Sequence, residues 1–198
     1  MKYIGLTGGI GSGKSTIARI LQCMGYPVYI SDQEASRLMN TLPVIRKELE
    51  TQFGQHIYMQ DGKINKPVVA QIIFNNRQAL QTINQIVHPR VMEDFKYWGA
   101  NQQHECIFFE SAILFEAHLD HFFDQIICVT APEEIRLIRV ANRDKIPFEQ
   151  IRERMQNQLD DTQKCKRSNF IIHNDPQHRI IAQILDILQT LQTSNHNL

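Results

Sequence analysis

The stretch GGIGSGKS, residues 8–15, contains the residue types that bind phosphate groups. It matches the pattern GxxxxGK[ST], in which glycines let backbone N–H groups converge on phosphate oxygens without interference from side chains. In this pattern Lys14 reaches the β- and γ-phosphates of a nucleoside triphosphate, and the Ser15 hydroxyl ligates a Mg²⁺ ion bound to the same oxygens. The residues that the pattern assigns to nucleotide binding are Gly9, Ile10, Gly11, Ser12, Gly13, Lys14, Ser15 and Thr16.

The residues on either side of this stretch predict the order strand, loop and helix. Lys2–Thr7 has the composition of a short strand, and apolar residues recur at helical spacing from Gly13 until Gly25. The positive end of such a helix favours a bound anion. The alternative is a glycine-rich turn that contains a lysine by chance. Such a turn does not require a strand before it and a helix after it. A dinucleotide-binding loop is excluded because the third glycine of GxGxxG would fall on Lys14 or Thr16.

Four further strand candidates alternate with helical segments along the chain. They lie at residues 26–30, 106–109, 125–129 and 170–173. This alternation predicts an α/β fold, with a parallel sheet covered by helices on both faces. The helical stretch of about 75 residues between the second and third strand candidates is too long for a plain crossover, and it predicts an insertion that holds a second ligand. A last helix is predicted over residues 177–191.

The composition limits the classes of partner and compartment. Twenty-one basic residues balance 21 acidic residues among 198, so no overall positive field exists for nucleic acid, and a small anion is the expected partner. The four cysteines form no CxxC pair, which suits reduced, mostly buried thiols in a cytosol. No apolar run approaches the roughly 20 residues that span a bilayer, so we expect no membrane segment and a cytoplasmic protein. The polar tail, residues 193–198, is expected to fray.

Asp32 directly follows the second strand candidate, and in sheets of this type ligands bind at the carboxyl ends of the strands. A carboxylate there can accept the proton of an attacking hydroxyl group, as in other phosphoryl transferases. Alternatively, Ser31 or Asp32 only caps a helix that begins at Gln33. Position alone does not separate the two roles, and both can hold together.

The phosphate loop by itself leaves the reaction open, because switches, motors and small-molecule kinases share it. A GTPase normally carries the motifs DxxG and NKxD. DxxG is absent from this sequence, and the Asn65-Lys66 pair is followed by Pro67 and Val68. The sequence therefore lacks the guanine-reading motif of a GTPase switch.

Several segments together resemble the dephospho-coenzyme A kinase family. They are GLTGGIGSGKST at residues 5–16, SD at 31–32, INQIVHP at 83–89, ESAILFE at 110–116, the arginine series at 136–143 and NFIIHND at 169–175. The resemblance covers most of the chain and implies a P-loop NTPase-type fold. It also implies transfer of the γ-phosphate of ATP, with Mg²⁺, to the ribose 3′-hydroxyl of 3′-dephospho-coenzyme A, giving coenzyme A and ADP in the last step of coenzyme A synthesis.

The resemblance also suggests roles for residues on the acceptor side. Asp32 matches the family's catalytic aspartate, although members usually carry Asp-x-Asp and the first position here is Ile30. Lys66 stands where many relatives have arginine. The positive charge is therefore kept, but the planar guanidinium group, which can bind a ligand through two parallel hydrogen bonds, is lost. His88 matches a His-Pro pair in the region that holds the acceptor; its alternative role is a contact to local backbone before Pro89.

Two acidic positions follow the third strand candidate. Glu110 stands where relatives often have aspartate near Mg²⁺ or its waters, and its alternative role is to start a helix. Glu116 matches a family acid in the ILFE segment. The predicted substrate-binding residues are Thr7, Asp32, Lys66, His88 and Glu110.

A cluster of arginines precedes the last strand candidate. Its members are Arg136, Arg139, Arg143, Arg152 and Arg154. Arginines on a mobile segment can stabilise the charge of a transferring phosphoryl group, whereas the alternative is a solvated helix face. The resemblance points to a lid here, so Arg139 and Arg143 join Lys14 and Asp32 as the predicted catalytic residues. Asn174 matches a segment near the adenine, although without the resemblance it reads as a turn before the last helix.

These predictions give one P-loop kinase unit with three parts. The nucleotide-binding core comprises about residues 1–31, 104–135 and 159–198, the helical acceptor-binding insertion about 32–103, and the lid about 136–158. A monomer or a small homo-oligomer is expected. Two alternatives remain: a nucleoside or nucleotide monophosphate kinase, and a nucleotide-dependent switch or assembly factor.

Overall fold

The structure is a computed structural model that describes residues 1–73 and 76–193. Its strands are β1 (Lys2–Thr7), β2 (Val28–Ile30), β3 (Cys106–Glu110), β4 (Gln125–Thr130) and β5 (Phe170–His173). Its helices are α1 (Lys14–Cys23), α2 (Ser31–Thr41), α3 (Pro43–Phe53), α4 (Lys66–Ile73), α5 (Arg77–Ala100), α6 (Glu133–Asp144), α7 (Phe148–Gln156), α8 (Asp161–Arg167) and α9 (Ile180–Thr193). Apart from residue 193, the tail that was predicted to fray lies outside the described residues.

The strands form a five-stranded sheet in the order β2-β3-β1-β4-β5. β1 pairs in parallel with both β3 and β4, and β4 pairs in parallel with β5. β1, β3 and β4 are apolar and mostly buried, which is typical of strands covered by helices on both faces. The predicted parallel sheet is therefore confirmed, and the carboxyl ends of β1, β3, β4 and β5 lie at one edge.

The described residues divide into two compact units. The sheet unit comprises Met1–Val28 and the residues from His104 onward. The helical unit comprises Tyr29–Gln103. Residues 136–158, which were predicted to form a lid, belong to the sheet unit in this division.

An apolar core holds each unit together. In the sheet unit, α1 buries Ile17 and Leu21, and α9 buries Ile184 and Leu188. In the helical unit, Tyr29 packs against two aromatic rings of α5, with ring centroids 5.3 Å from Phe95 and 5.4 Å from Trp98. The apolar residues of α5 thus pack inside the helical unit, as expected for a helix with apolar residues on one face.

Two elements begin later than predicted. β2 begins at Val28 rather than at residue 26, because the preceding Pro27 has no N–H to donate, although its carbonyl accepts a hydrogen bond from Phe108 N at 2.9 Å. α9 begins at Ile180 rather than at residue 177. There the Asp175 side chain accepts a hydrogen bond from the backbone N–H two residues later at 2.8 Å and so forms a turn.

The state of the cysteines and the length and polarity of the helices can be compared with the expectations drawn from the composition. All four cysteines are free thiols, of which Cys106 and Cys128 are buried and Cys23 is exposed. Burial raises the pKa of the Cys128 thiol, whose sulfur lies 3.3 Å from that of Cys165. Within residues 1–73 and 76–193, every helix is too short or too polar to cross a membrane.

Candidate functional site

The phosphate loop connects β1 to α1, as the sequence predicts. Gly13 occupies the position before the helix with φ 95°, a backbone conformation that favours glycine. A Cβ atom there would lie 1.9 Å from the Asn174 side-chain nitrogen, and a Cβ at Gly8 would lie 2.1 Å from the Val129 carbonyl oxygen. These glycines are therefore required by protein atoms packed against the loop, in addition to any phosphate within it.

The first turn of α1 suits an anion. No acidic residue lies in that turn and no side chain caps it, so its backbone N–H groups and the helix dipole favour negative charge. Lys14 is the first residue of this helix; its side chain is buried, and Nζ donates to the Gly9 carbonyl at 3.4 Å. The lysine is thus folded over the loop. Ser15 and Thr16 follow with exposed side chains.

Two hydroxyl groups at the loop lack a hydrogen-bond partner among the described residues. They are Thr7 Oγ1, at the end of β1, and Ser12 Oγ, within the loop, and both residues are fully buried. Buried polar groups in folded proteins are nearly always satisfied. Unmet hydrogen-bonding capacity at this place is consistent with a polar ligand at the loop.

Glu110 is the last residue of β3 and is buried. It lies in register with Leu6 of β1, and the next residue, Ser111, donates its N–H to the Leu6 carbonyl at 3.0 Å. The structure therefore places the Glu110 backbone beside the end of β1, where the phosphate loop starts. The alternative role of Glu110, starting a helix, is wrong, because Glu110 ends the strand β3.

Arg139 and Asn174 are brought together with the loop. Asn174 donates from its side-chain nitrogen to the Ser12 carbonyl at 2.8 Å. Arg139 donates to the Asn174 carbonyl at 3.1 Å and to the Ser12 carbonyl at 3.4 Å. The two predicted residues thus hold the loop and each other.

Arg143 lies elsewhere on α6. Its side chain is 61% exposed and donates to Asp144 Oδ1 at 2.7 Å. This hydrogen bond raises the pKa of Arg143 and lowers the pKa of Asp144. In the structure Arg143 therefore pairs at the surface with its neighbour in sequence.

Arg136 contacts the loop but was not among the predicted catalytic or binding residues. Its side chain is buried, donates from Nε to the Ile10 carbonyl at 2.9 Å and pairs with Asp161. One signal in the sequence was available, because an arginine next to the apolar Leu137 and four residues before Val140 falls on the buried face of a helix.

A second buried charge was also missed. Lys164 of α8 is fully buried, and its Nζ donates to Glu116 Oε1 at 2.8 Å and to the Ala112 carbonyl at 2.6 Å. A buried ammonium group requires such partners because removing it from water is costly. Glu116, the acid of the ILFE segment, therefore has a contact within the sheet unit.

Asp32 and His88 lie in the helical unit. Asp32 is the second residue of α2 and is exposed; the position before the helix is Ile30, and no side chain caps the helix. The alternative role, capping a helix from Gln33, is therefore wrong, because the helix already begins at Ser31. Burial lowers the pKa of His88 of α5, and the negative charge of Asp32 acts in the opposite direction. The lowered pKa favours the neutral form of His88, which lies within the electrostatic influence of Asp32, the predicted base.

Two helices of the helical unit are joined by a hydrogen-bonded group. Asp94 of α5 accepts from the Tyr29 hydroxyl at 2.7 Å and from Arg37 of α2 at 2.6 Å. Arg37 also donates to Glu34 at 2.5 Å. These contacts hold α2, which carries Asp32, against α5. Lys66, by contrast, begins α4 with an exposed side chain.

Metal ligation by the protein alone is not indicated. The described residues contain no cluster of three or more His, Cys, Asp or Glu side chains that could hold a metal ion. A Mg²⁺ ion bound through nucleotide oxygens and one hydroxyl does not need such a cluster. The exposed Ser15 hydroxyl at the start of α1 fits that role.

Comparison with known proteins identifies the family. The family model described as dephospho-CoA kinase matches residues 2–179. This chain belongs to the dephospho-CoA kinase family. A dephospho-CoA kinase of Bacteroides fragilis strain YCH46 is 42% identical over 98% of this chain and 95% of the relative. One of Porphyromonas gingivalis is 37% identical over 100% of this chain and 98% of the relative.

Solved structures agree in fold. TT1252 from Thermus thermophilus superposes with a TM-score of 0.82 at 27% identity, over 98% of this chain and 97% of that one. A dephospho-CoA kinase from Campylobacter jejuni has a TM-score of 0.68 at 22% identity, over 98% of each chain. A shikimate kinase from Acinetobacter baumannii has a TM-score of 0.56 at 14% identity, over 100% of this chain and 96% of that one. The last two likenesses support the fold alone.

These comparisons confirm three predictions from the sequence. The family is dephospho-CoA kinase, the fold is of the α/β P-loop type, and the chain is an ATP-dependent kinase, a transferase. Family membership therefore decides against the nucleotide-dependent switch and against the nucleoside or nucleotide monophosphate kinase.

Proposed function

We propose that this dephospho-CoA kinase transfers the γ-phosphate of ATP to the ribose 3′-hydroxyl of 3′-dephospho-coenzyme A, giving coenzyme A and ADP. The observation that carries the proposal is the phosphate loop: a helix start without acidic residues, a lysine folded over the loop and buried unsatisfied hydroxyls at its base. The match to the family over residues 2–179 supports the choice of acceptor.

On the nucleotide side, we assign the β- and γ-phosphates to Lys14 and to backbone N–H groups of the phosphate loop other than that of Ile10, which donates to Gln158 Oε1. The Ser15 hydroxyl would hold Mg²⁺, and Glu110 would accept hydrogen bonds from waters around it. When bound, Mg²⁺ neutralises charge on the phosphate oxygens during transfer. Two further residues belong to the nucleotide side of the proposed site. Asn174 would lie near the adenine, and Thr7 would lie at the base of the phosphate loop.

On the acceptor side, we assign the proton of the 3′-hydroxyl to Asp32. An exposed carboxylate in the first turn of a helix can accept that proton as phosphate transfer proceeds. His88, whose pKa is lowered by burial, can orient the acceptor by a hydrogen bond from its ring N–H. Lys66 supplies a positive charge for an anionic part of the acceptor.

We propose that residues 136–158 act as a lid, that residues 32–103 bind the acceptor, and that the rest forms the nucleotide-binding core. Arg139 already contacts the loop, whereas Arg143 must leave Asp144 to reach a phosphate. Because Arg143 is exposed, breaking its ion pair with Asp144 costs little free energy. The enzyme is proposed to act in the cytoplasm, as a monomer or small homo-oligomer, without nucleic acid.

The test measures ADP formation from Mg-ATP with dephospho-coenzyme A, AMP or adenosine as acceptor, and product mass by mass spectrometry. We expect one added phosphate on dephospho-coenzyme A alone, in stoichiometric amount with ADP. Lys14→Ala serves as the control for contaminating kinases, since it removes the phosphate-binding charge without affecting any contaminant. Preferred transfer to AMP or adenosine would overturn the assignment of the acceptor. The assignment of the residues that bind ATP would not be affected.

A further inference from the structure

Ile10, the third residue of GGIGSGKS, has both polar backbone atoms bound by side chains from distant parts of the chain. Its N–H donates to Gln158 Oε1 at 2.9 Å. Its carbonyl accepts from Arg136 Nε at 2.9 Å. Both contacts are between protein groups, so the protein itself fixes the peptide groups on both sides of this residue.

Gln158 is held in place by its own surroundings. It follows α7, its N–H donates to the Met155 carbonyl at 3.0 Å, and its side chain is partly buried. The next N–H, that of Leu159, donates to Glu116 Oε1 at 2.8 Å. The backbone at residues 158–159 is therefore fixed on both sides of the Gln158 side chain.

Glu116 in turn is fixed by the buried Lys164, whose Nζ lies 2.8 Å from Glu116 Oε1 and 2.6 Å from the Ala112 carbonyl oxygen. This ammonium group holds the segment after β3 and the residues after α7 together. A continuous series of contacts thus runs from Lys164 through Glu116 and Leu159 to Gln158 and the loop.

Arg136 makes the corresponding contact from the other side. It lies in the first turns of α6, is buried, and pairs with Asp161 of α8 in addition to the Ile10 carbonyl. Arg136 and Gln158 are the two ends of the segment predicted to form a lid. Both ends therefore meet at a single residue of the phosphate loop.

We propose that Gln158 is a positioning residue that, together with Arg136, sets the conformation of the phosphate loop at Ile10 and thereby its affinity for the nucleotide. The proposal rests on the proposed function, in which this loop binds the phosphates. It assigns a role in the reaction to a residue that the motif analysis did not single out.

The chemistry of the glutamine side chain suits this role. Because the Ile10 N–H donates to Gln158, it is not available to a phosphate, and phosphate binding is left to other amides of the loop. The acceptor is neutral and adds no negative charge beside a site for phosphates. Losing the acceptor would leave a partly buried N–H without a partner and would free the loop to sample other conformations.

The experiment compares Gln158→Met, which keeps the length but removes the acceptor, with Gln156→Met as a matched control. Gln156 is exposed at the end of α7, two residues away. Amide hydrogen exchange of Ile10 is followed by NMR in the full chain without nucleotide, and binding of Mg-ADP is followed by calorimetry. We expect Gln158→Met to speed exchange at Ile10 and to weaken Mg-ADP binding about 5–20-fold, the effect of one unsatisfied buried donor. The KM for dephospho-coenzyme A should stay within about twofold, since that substrate binds elsewhere.

Each possible result bears on the proposal. Unchanged exchange at Ile10 would show that the contact does not hold the loop, and faster exchange with unchanged Mg-ADP affinity would reduce Gln158 to a structural role. Gln158→Glu, which keeps the acceptor oxygens, must retain slow exchange at Ile10, and it provides this test even if Gln158→Met does not fold. Failure of the wild-type chain to bind Mg-ADP would overturn the proposed function instead, while exchange at Ile10 would still report on the contact.

Discussion

The phosphate loop in the sheet unit and the Asp32 region in the helical unit are built differently. Around the loop, charged and polar side chains are buried and bound to the protein: Lys14 to the Gly9 carbonyl, Arg136 to Ile10 and Asn174 to Ser12. In the helical unit, Asp32 and Lys66 are exposed. A site with most of its groups fixed before binding loses little entropy when the ligand arrives. We infer that the nucleotide side is preorganised, whereas the acceptor side is completed by its ligand.

The difference also extends to the charges that each region presents. The first turn of α1 lacks acidic residues, while that of α2 carries Asp32 and Glu34. Both helices follow a strand, but the first turn of one suits an incoming anion and that of the other provides a carboxylate. The two helix starts therefore fit opposite roles, phosphate binding and proton acceptance.

The largest expected effect comes from breaking the preorganised side with Lys14→Ala. Turnover of dephospho-coenzyme A should fall roughly 100–1000-fold, the usual effect of removing one preorganised group that stabilises charge in the transition state. Lys166→Ala is the control, since Lys166 is exposed on α8 in the same unit. A Lys14 variant with turnover within tenfold of wild type would contradict the assignment of Lys14 to the transferred phosphate. Turnover is measured by coupled ADP release.

Asp32→Asn tests the acceptor side. Turnover should decrease by about 100-fold or more, the scale of a general base, while Mg-ADP affinity stays unchanged. Asp61→Asn is the matched control, because Asp61 is an exposed carboxylate in the helical unit that pairs with Lys63 at 3.4 Å. Near-normal turnover in Asp32→Asn would exclude this carboxylate as the essential base.

Lys164→Met tests whether the contacts behind the phosphate loop stabilise the fold. Removing the fully buried ammonium leaves the Glu116 carboxylate, only 22% exposed, without its oppositely charged partner. The free energy of unfolding should decrease by about 3 kcal/mol, as measured by urea denaturation. Lys166→Met, on an exposed face of the same helix, should change it by less than about 0.5 kcal/mol.

The same pair offers a stricter test. In Lys164→Met with Glu116→Gln, no charge is left unpaired, so the loss should be smaller than the sum of the two single losses. Additive losses would mean that the two side chains do not interact, and would remove one link in the series of contacts that reaches Gln158.

His88 gives the smallest expected effect. Burial lowers its pKa below the ordinary value of 6.5, so as pH falls the unfolded chain takes up the proton before the folded one. The contribution of His88 to stability is therefore complete above pH 6.5 and decreases as pH falls from there toward the folded-state pKa. His88→Gln should flatten this part of the curve of unfolding free energy against pH. An unchanged slope in the variant would assign the pH dependence to other groups.

The sequence predicts the phosphate loop well because its information is local. Strand, glycines, lysine and helix follow one another within residues 2–23, so spacing alone gives the arrangement. The contacts behind the loop have no such local signal. Ile10 and Gln158 are 148 positions apart, and Ile10 and Arg136 are 126 positions apart. Only the fold brings these residues together, and a single glutamine after a helix has no distinctive pattern.

The arginines illustrate the same limit. Helical spacing placed Arg136, Arg139 and Arg143 in one series, but it did not predict which side chain faces the loop. In the structure Arg136 and Arg139 contact it and Arg143 points to Asp144. The choice depends on the packing of α6, which buries Leu137 and Val140 against Ile151 of α7 and so turns particular positions inward.

The glycines of the phosphate loop limit which sequences this fold accepts, whatever the catalytic demand. A side chain at Gly8 or Gly13 would overlap with protein atoms of Val129 or Asn174. A library of random substitutions screened only for soluble, folded protein should therefore still return glycine at both positions. The glycine pattern that indicates a nucleotide site is therefore also required for folding in this chain. Descendants of this protein that had lost the reaction would still keep these glycines.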